Sequence, residues 1–253
     1  MRILLTNDDG YHAPGLAALE TIAATLSDDV WIVAPADEQS GAARSLTLSR
    51  PLRVRRFGAR RFAVAGTPTD AVLMALGELM DAKPDLILSG VNRGGNLAED
   101  VLYSGTVAAA MEGAMAGIRS IALSQLYDKE GVGNAMSFAT AEAWGERVLR
   151  PILSLPSDPR TLVNVNFPVT APDAVKGIRV VAQGHRDHGQ VRMDHRTDPR
   201  GFDYYWLAMR RESIEAGVAT DLQAVAADHI AVTPLHLDLT HRGSLAMLAQ
   251  AYG

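Results

Sequence analysis

Short apolar runs alternate with amphipathic helical patterns along most of the chain, and this alternation restricts the fold more than any other feature. The runs are typical of strands that are buried on both faces of a parallel sheet. They lie at residues 3–6, 30–34, 86–90, 121–124 and 162–167. Alternation at this spacing predicts a single α/β domain over residues 1–253, with a doubly wound, mostly parallel sheet and right-handed crossovers.

The helical patterns between these runs place apolar residues on one stripe. Residues 15–26 do so with Leu16, Leu19, Ile22, Ala23 and Leu26, and residues 69–80 with Val72, Leu73, Leu76 and Met80. Residues 106–116 and 138–149 complete the alternation. Because ligands of doubly wound sheets bind beyond the carboxyl ends of the strands, a functional site is expected in the loops that follow them.

Two segments depart from this pattern. Residues 39–69 contain seven arginines and no acid, across an expected hairpin of residues 46–54 and 62–65. The arginines either form a solvated strand face or steer an anionic substrate. The polar residues 185–211, which end in several aromatics, predict a projecting β arm that packs on another subunit.

The tail is predicted to be ordered again. Thr220 and Gln223 have the spacing of a capping box, which predicts a short helix. Residues 229–235 are expected to form a strand that Pro234 breaks, and residues 243–252 a terminal helix carrying Leu245, Leu248 and Ala249.

The composition excludes several classes of function. Without cysteine the chain has no disulfide framework, thiolate metal site or cysteine nucleophile. A net charge of −5 provides no global basic field for nucleic acid. The first apolar run is too short for a signal peptide, and no later run approaches a membrane span, so we expect a cytoplasmic protein.

Polar side chains follow four of the strands. Asp8 and Asp9 come directly after the first strand, and adjacent carboxylates repel each other unless a cation joins them. Hard oxygen ligands suit Mg²⁺ or Mn²⁺, although Asp-Gly is also a common turn. Ser40 follows the second strand, and Asn92 and Asn96 follow the third, where they are either ligands or turn formers.

The sequence Ser104-Gly105-Thr106 stands directly before a helix of small residues. The free N–H groups and the positive dipole end of a helix bind anions, and the two hydroxyls add donors, although an ordinary N-cap explains Thr106 equally well. The convergence of four such loops favours a functional site. The P-loop, dinucleotide-binding and serine-elbow motifs are all absent from the sequence. His185, His188 and His195, with Asp187 and Asp194, are either a metal cluster or scattered surface residues.

These residues carry a close, end-to-end resemblance to the SurE (survival protein E) family of bacterial nucleotidases. The shared strings include Thr-Asn-Asp-Asp-Gly at 6–10 and Tyr-Ser-Gly-Thr-Val at 103–107. The others lie at residues 34–35, 38–41, 66–70, 89–96, 164–168, 233–235 and 238–240. Ala71 departs from the pattern, since many relatives have cysteine there, and we expect this to affect packing only.

The resemblance implies a metal-dependent phosphatase that acts on nucleoside 5′- and 3′-monophosphates and also trims short polyphosphate. By resemblance, Asp8, Asp9, Ser40 and Asn92 bind one divalent cation, Mg²⁺ or Mn²⁺, and the two aspartates are catalytic. The residues implied to hold the phosphate are Asn96, Ser104, Gly105 and Thr106. The cation would polarise the phosphate, while the helix N-terminus would stabilise the developing charge.

The resemblance also implies a homodimer or homotetramer that exchanges the arm, residues 185–211, and a C-terminal segment, residues 228–253. Neither a membrane nor a stable nucleic-acid complex is expected. Three rival functions remain: a nucleoside hydrolase, a nucleotide-binding module without turnover, and a scaffold. An aspartyl-phosphate route is disfavoured because Asp8 and Asp9 are adjacent, whereas haloacid-dehalogenase phosphatases use Asp-x-Asp.

Overall fold

The computed structural model describes residues 1–127, 137–186, 191–209 and 219–253. Its strands are β1 Ile3–Thr6, β2 Val30–Pro35, β3 Val54–Gly58, β4 Arg61–Val64, β5 Leu86–Arg93, β6 Arg119–Gln125, β7 Thr161–Phe167, β8 Ile178–Val180, β9 Val191–Thr197, β10 Asp203–Met209 and β11 Ile230–His236. Its α-helices are α1 Pro14–Ala24, α2 Pro68–Met74, α3 Gly105–Met115, α4 Ala139–Ser154, α5 Asp221–Ala226 and α6 Arg242–Tyr252. A π-helical turn, Ala75–Leu79, extends α2, and a 3₁₀ helix, Ala98–Leu102, precedes α3.

Nine strands form one sheet in the order β3-β4-β2-β1-β5-β6-β7-β11-β8. The strands from β4 to β7 in this order are all parallel to their neighbours, whereas β3 and β11 run antiparallel to β4 and β7. The predicted doubly wound, mostly parallel sheet is therefore confirmed.

Helices cover both faces of this sheet. One core cluster joins residues of α1 and α4 to the central strands, and a second cluster joins α2 and α3 to the opposite face. Ile3, Leu5, Leu86 and Leu88 are fully buried. Because both faces are covered, these strands are apolar throughout and do not alternate.

The predicted hairpin is correct in its second strand and wrong in its first, since β3 begins only at Val54. The preceding segment binds α2 instead. The Thr67 hydroxyl donates to the Ser45 carbonyl oxygen at 2.8 Å, and the Thr47 N–H donates to Asp70 Oδ1 at 3.1 Å. These two bonds hold the chain away from the sheet edge.

Two smaller predictions are also wrong. Leu73 is exposed, because Val72 faces the sheet and the next side chain lies about 100° further around the helix. Pro234 does not break β11, which continues to His236. Beside Pro234 the neighbouring strand β8 has already ended at Val180, so the proline lies at an edge where a missing N–H is tolerated.

The arm and the tail leave much apolar surface exposed. Strands β9 and β10 form a separate antiparallel hairpin within the predicted arm, and Phe202, Tyr205 and Trp206 on it are exposed. The Thr220 capping box is present, and every residue of α6 is exposed or half-buried. Within the described ranges, none of the helices combines the length and apolar character that crossing a bilayer requires.

The α2 capping box generates a stability prediction. Burial alone would raise the pKa of Asp70, but hydrogen bonds from Thr47 and Thr67 outweigh it, and the pKa is lowered. The ionised carboxylate therefore stabilises the fold at neutral pH, and this contribution is lost as the pH falls through the lowered pKa.

We expect Asp70→Ala to reduce the free energy of unfolding by about 1–2 kcal/mol at pH 7, and by less at pH 3. Urea denaturation at both pH values measures this, with Thr67→Ser as a matched variant that keeps the hydroxyl. An equal loss at both pH values would contradict the prediction.

Candidate active site

The site lies where β1, in the middle of the sheet, ends between β2 and β5. The loop after β1 carries Asp8 and Asp9, the loop after β2 carries Ser40, and the end of β5 carries Asn92. The Gln39 N–H donates to the Asp8 carbonyl oxygen at 2.8 Å, which ties the second loop to the first. The parallel topology thus brings three predicted loops to one edge.

Asp8 is buried against the N-terminus of α3. The Thr106 hydroxyl donates a short hydrogen bond to Asp8 Oδ1. A Cβ added at Gly105 would lie 2.8 Å from the Asp8 Cβ. Glycine at this position is therefore what lets the helix end approach the carboxylate so closely.

The pKa of Asp8 is raised to about 6, chiefly by burial; the hydrogen bond from Thr106 opposes this rise, and the nearby charge of Asp9 contributes to it. Asp9 is less buried. Burial raises its pKa as well, against a 3.0 Å hydrogen bond from the Arg93 N–H to Asp9 Oδ2 and the positive charge of the Arg93 side chain. The two adjacent carboxylates thus form a site in which negative charge is incompletely compensated.

Ser40 and Asn92 each follow or precede a residue that bonds to an aspartate, since Gln39 donates to the Asp8 carbonyl oxygen and Arg93 donates to Asp9 Oδ2. The Ser40 hydroxyl donates to Glu38 Oε1 at 2.9 Å. The Asn92 side-chain nitrogen donates to the Gly94 carbonyl oxygen at 2.8 Å, which leaves its oxygen as the atom able to accept or ligate. Their predicted role as ligands therefore stays a prediction.

Asn96 is the centre of a buried amide network. Its side chain donates to Ser124 Oγ at 2.8 Å, and its N–H donates to Asn166 Oδ1 at 2.9 Å. Its carbonyl oxygen accepts from the side chains of Asn164 and Asn166. These bonds fix Asn96 to β6 and β7, so one of its two amide hydrogens is already engaged within the protein.

The helix predicted after Ser104-Gly105-Thr106 is present, but it begins at Gly105, so Thr106 is not its N-cap. Ser104 is the N-cap, and its hydroxyl oxygen accepts from the Val107 N–H at 3.1 Å. Gly105 and Thr106 form the first turn, facing Asp8. The carboxylates and the anion-binding end of a helix are therefore one hydrogen bond apart.

A pocket of about 290 Å³ opens on the far side of Asp9. Its polar wall includes Glu38 and Arg93, and an Arg93 guanidinium nitrogen lies 3.6 Å from Glu38 Oε1. Its apolar wall includes Ala13 and Phe138. Asp9 belongs both to the carboxylate pair and to the lining of this pocket.

Comparison with known proteins shows the family to which this chain belongs. The family model described as "Survival protein SurE" matches residues 3–190. The chain is 63% identical to "5'-nucleotidase SurE" of Rhizorhabdus wittichii and 55% identical to "5'-nucleotidase SurE" of Methylobacterium nodulans, and each match covers 100% of both chains. The chain belongs to the SurE family. The crystal structure of the SurE protein from Aquifex aeolicus matches with a TM-score of 0.84 at 37% identity, again over 100% of both chains.

The donor set of this SurE chain fits a hard divalent cation. Its candidate ligands are two carboxylates, one hydroxyl and one amide oxygen, all of them oxygen donors. Nearby, Asn7 Oδ1 is buried without a hydrogen-bond partner among the described residues, although its side-chain nitrogen donates to the Gly10 carbonyl oxygen. Buried uncompensated negative charge and an unused oxygen acceptor are what a cation would relieve.

The alternative histidine cluster in the arm is not formed by the residues that can be assessed. Among the described residues, no group of three or more His, Cys, Asp or Glu side chains could hold a metal ion. His195 pairs with Asp203, and His185 pairs with Glu99. His188 and Asp187 lie outside the described residues.

The sequence reasoning assigned no role to Asn164, Asn166 or Ser124, which fix Asn96. A signal for the first two was present, because residues two apart on a strand point to the same face. Two asparagines at that spacing in an otherwise apolar buried strand indicate a polar network.

The burial of Asp8 generates a prediction about the metal-free protein. A folded-state pKa above the unfolded value means that ionisation destabilises the fold as the pH rises from about 4 to 6, by about 3 kcal/mol. Asp8→Asn removes this charge and keeps an oxygen that Thr106 can contact. We expect a higher Tm than wild type in EDTA at pH 8 and little difference at pH 4.

Thermal unfolding with and without Mn²⁺ measures both parts of this prediction. Mn²⁺ should raise the Tm of the wild type more than that of Asp8→Asn. The matched control is Asp28→Asn, which should behave as wild type. Asp28 is exposed and lies just before β2, at the amino ends of the strands and away from the site. A lower Tm for Asp8→Asn in EDTA at pH 8 would show that the buried charge is compensated in the metal-free fold.

Proposed function

We propose that this protein is a divalent-metal-dependent phosphatase that hydrolyses nucleoside 5′- and 3′-monophosphates and acts on short polyphosphate as a secondary substrate. The observation that carries the proposal is the contact between the Asp8 carboxylate and the Thr106 hydroxyl at the N-terminus of α3. This contact joins a pair of carboxylates suited to a cation with a helix end suited to a phosphate.

The general activity, hydrolysis of a nucleotide phosphate ester, follows from the family. Full-length relatives at 53–63% identity are named 5'-nucleotidases, so the chain is a phosphoric monoester hydrolase with nucleotidase activity. The metal requirement, the 3′-activity, the polyphosphate activity and the cytoplasmic location are our inferences beyond that.

The phosphate is assigned to the N-terminus of α3. Ser104 keeps a hydroxyl hydrogen to donate while its oxygen caps the helix, and Gly105 lets the helix end lie close against Asp8. The dipole of this eleven-residue helix favours the negative charge that builds up on the phosphate oxygens. Asn96 donates its second amide hydrogen from a fixed position.

Asp8 and Asp9 are assigned to the cation, with Ser40 and Asn92 completing its ligands. The Thr106 hydroxyl donates to Asp8 Oδ1, so we assign the other oxygen of Asp8, Oδ2, to the cation. The Arg93 N–H donates to Asp9 Oδ2 and holds that carboxylate in place. A bound Mg²⁺ or Mn²⁺ supplies Lewis-acid polarisation of the phosphate and acidifies bound water. The carboxylates also place proton acceptors next to the phosphate.

Phosphate release from 5′- and 3′-nucleoside monophosphates and from tripolyphosphate tests the proposal. We expect turnover with Mn²⁺ or Mg²⁺, none in EDTA, and a loss of at least about 100-fold in kcat for Asp9→Asn, because a direct ligand matters more than its supporting residues. Asp28→Asn should keep full activity.

The rival functions give different results in the same assay. A nucleoside hydrolase would release free base, and a binding module would bind the nucleotides without turnover. A scaffold would bind none of them, and activity that survives EDTA would contradict the metal requirement.

We also propose that the protein is a homodimer or homotetramer in which the arm, residues 185–211, and the tail, residues 228–253, pack on a partner copy. The supporting observation is the exposed apolar surface on both segments, including Trp206 on the arm and Leu245 and Leu248 on α6.

Replacing both Leu245 and Leu248 by Asp should reduce the mass measured by light scattering, because charged groups cannot be buried there without partners. The matched control is Gln250→Asp, which adds charge to the same helix without removing an apolar side chain. A wild-type monomer, or an unchanged mass in the double variant, would contradict the role of the tail.

A further inference from the structure

We propose that residues 183–186, at the base of the arm, position the phosphate-binding loop, and that Arg186 is the positioning residue on which this depends. The phosphate-binding loop is defined as residues 96–106, from Asn96 through the 3₁₀ helix to Thr106. The inference rests on the proposed function, because the proposed function assigns phosphate to the two ends of this loop.

The loop contains a strained residue that is held from outside. Ala98 has a φ of +51°, a left-handed conformation that is unfavourable for a residue with a Cβ. Its N–H donates to Asp221 Oδ2 at 2.9 Å, and its carbonyl oxygen accepts from the Gln183 side chain at 2.9 Å. Both backbone groups of the strained residue are therefore fixed by residues distant in sequence.

Arg186 binds the same loop from the arm side. Its side chain is only 7% exposed, forms a short ion pair with Asp100, and donates to the Leu97 carbonyl oxygen at 3.4 Å. Its backbone N–H donates to Glu99 Oε2 at 3.0 Å. One arginine thus contacts three positions of the loop, Leu97, Glu99 and Asp100, and the His185 ring adds a contact to Glu99.

Asp221 completes the connection. Besides Ala98, it accepts from the Gly184 N–H at 2.8 Å. A Cβ at Gly184 would lie 2.7 Å from Asp221 Oδ1, so glycine permits this approach. The base of the arm and the phosphate-binding loop are therefore joined through α5 as well as directly.

The consequence for the site follows from where the loop ends. Asn96 directly precedes the held segment, and Ser104 follows it, so the held segment sets the separation between the two groups assigned to phosphate. Removing the guanidinium would leave the Asp100 carboxylate without its ion-pair partner in a poorly solvated position, and the loop would have to rearrange to solvate it. Asp8 and Asp9 lie in the loop after β1, where Gln39 and Arg93 hold them, so they would keep their positions.

The test separates phosphate binding from cation binding. In Arg186→Met we expect affinity for inorganic phosphate, measured by calorimetry with Mn²⁺ present, to fall at least about ten-fold, and KM for a nucleoside monophosphate to rise similarly. The Kd for Mn²⁺ alone should stay within about two-fold of wild type. Arg186→Lys should recover part of the phosphate affinity, because it keeps the charge and loses the planar fork.

The matched control is Arg196→Met, an exposed arginine that pairs with Asp194 within the arm and should leave all these values unchanged. A lower Tm for Arg186→Met with unchanged phosphate affinity and KM would show that Arg186 only stabilises the fold, and would overturn the inference. An equal loss of Mn²⁺ affinity would also overturn it.

If Arg186→Met does not fold, Gln183→Ala still decides the question. This exposed side chain contributes a single bond to the Ala98 carbonyl oxygen. We expect a smaller loss of phosphate affinity, about three-fold, and no loss would overturn the inference. A wild type that binds phosphate without turnover would refute the proposed function but leave this comparison valid, whereas a wild type that binds no phosphate would refute both.

Discussion

The contact between the buried Asp8 carboxylate and the N-terminus of α3 is the interaction on which the site depends. It joins the central strand of the sheet to the crossover helix that returns from β5 towards β6. Three features make it possible: β1 lies in the middle of the sheet, Gly105 has no Cβ, and Thr106 donates to Asp8 Oδ1. A larger residue at Gly105 would move the helix end away from the carboxylate, and the two halves of the site would separate.

The parallel topology explains why the sequence could predict which loops meet at one edge of the sheet. In a parallel sheet, every strand delivers its following loop to the same edge, so residues far apart in sequence converge once strand order is known. The apolar runs identified the central strands to within three residues at each end, which also located the loops that carry Asp8 and Asp9. The sequence could not show that Thr106 contacts Asp8 directly, since that depends on how closely α3 packs on β1.

The wrong predictions share a physical cause. Residues 46–53 have the composition of a strand, yet Thr47 and Ser45 bind the α2 capping box. Pro234 would end an interior strand, yet it stands where β8 has already ended. The surroundings of Asn96, for which the sequence left a ligand and a turn former open, have the same cause, since side chains of β6 and β7 bond to it. In each case a partner distant in sequence outweighs the local preference, and no local pattern carries that information.

Three unfavourable features lie at the site or in the loop beside it. Asp8 is a buried carboxylate with a raised pKa, Asn7 Oδ1 lacks a partner among the described residues, and Ala98 adopts a left-handed backbone conformation. Asp70, whose capping box lies at the start of α2, shows the opposite behaviour, because its pKa is lowered and its charge stabilises the fold. Both aspartates are buried at helix N-termini, so burial alone does not explain the difference. Asp70 is compensated by bonds from within the chain, whereas Asp8 also faces a second carboxylate, which is the arrangement expected where a cation completes the structure.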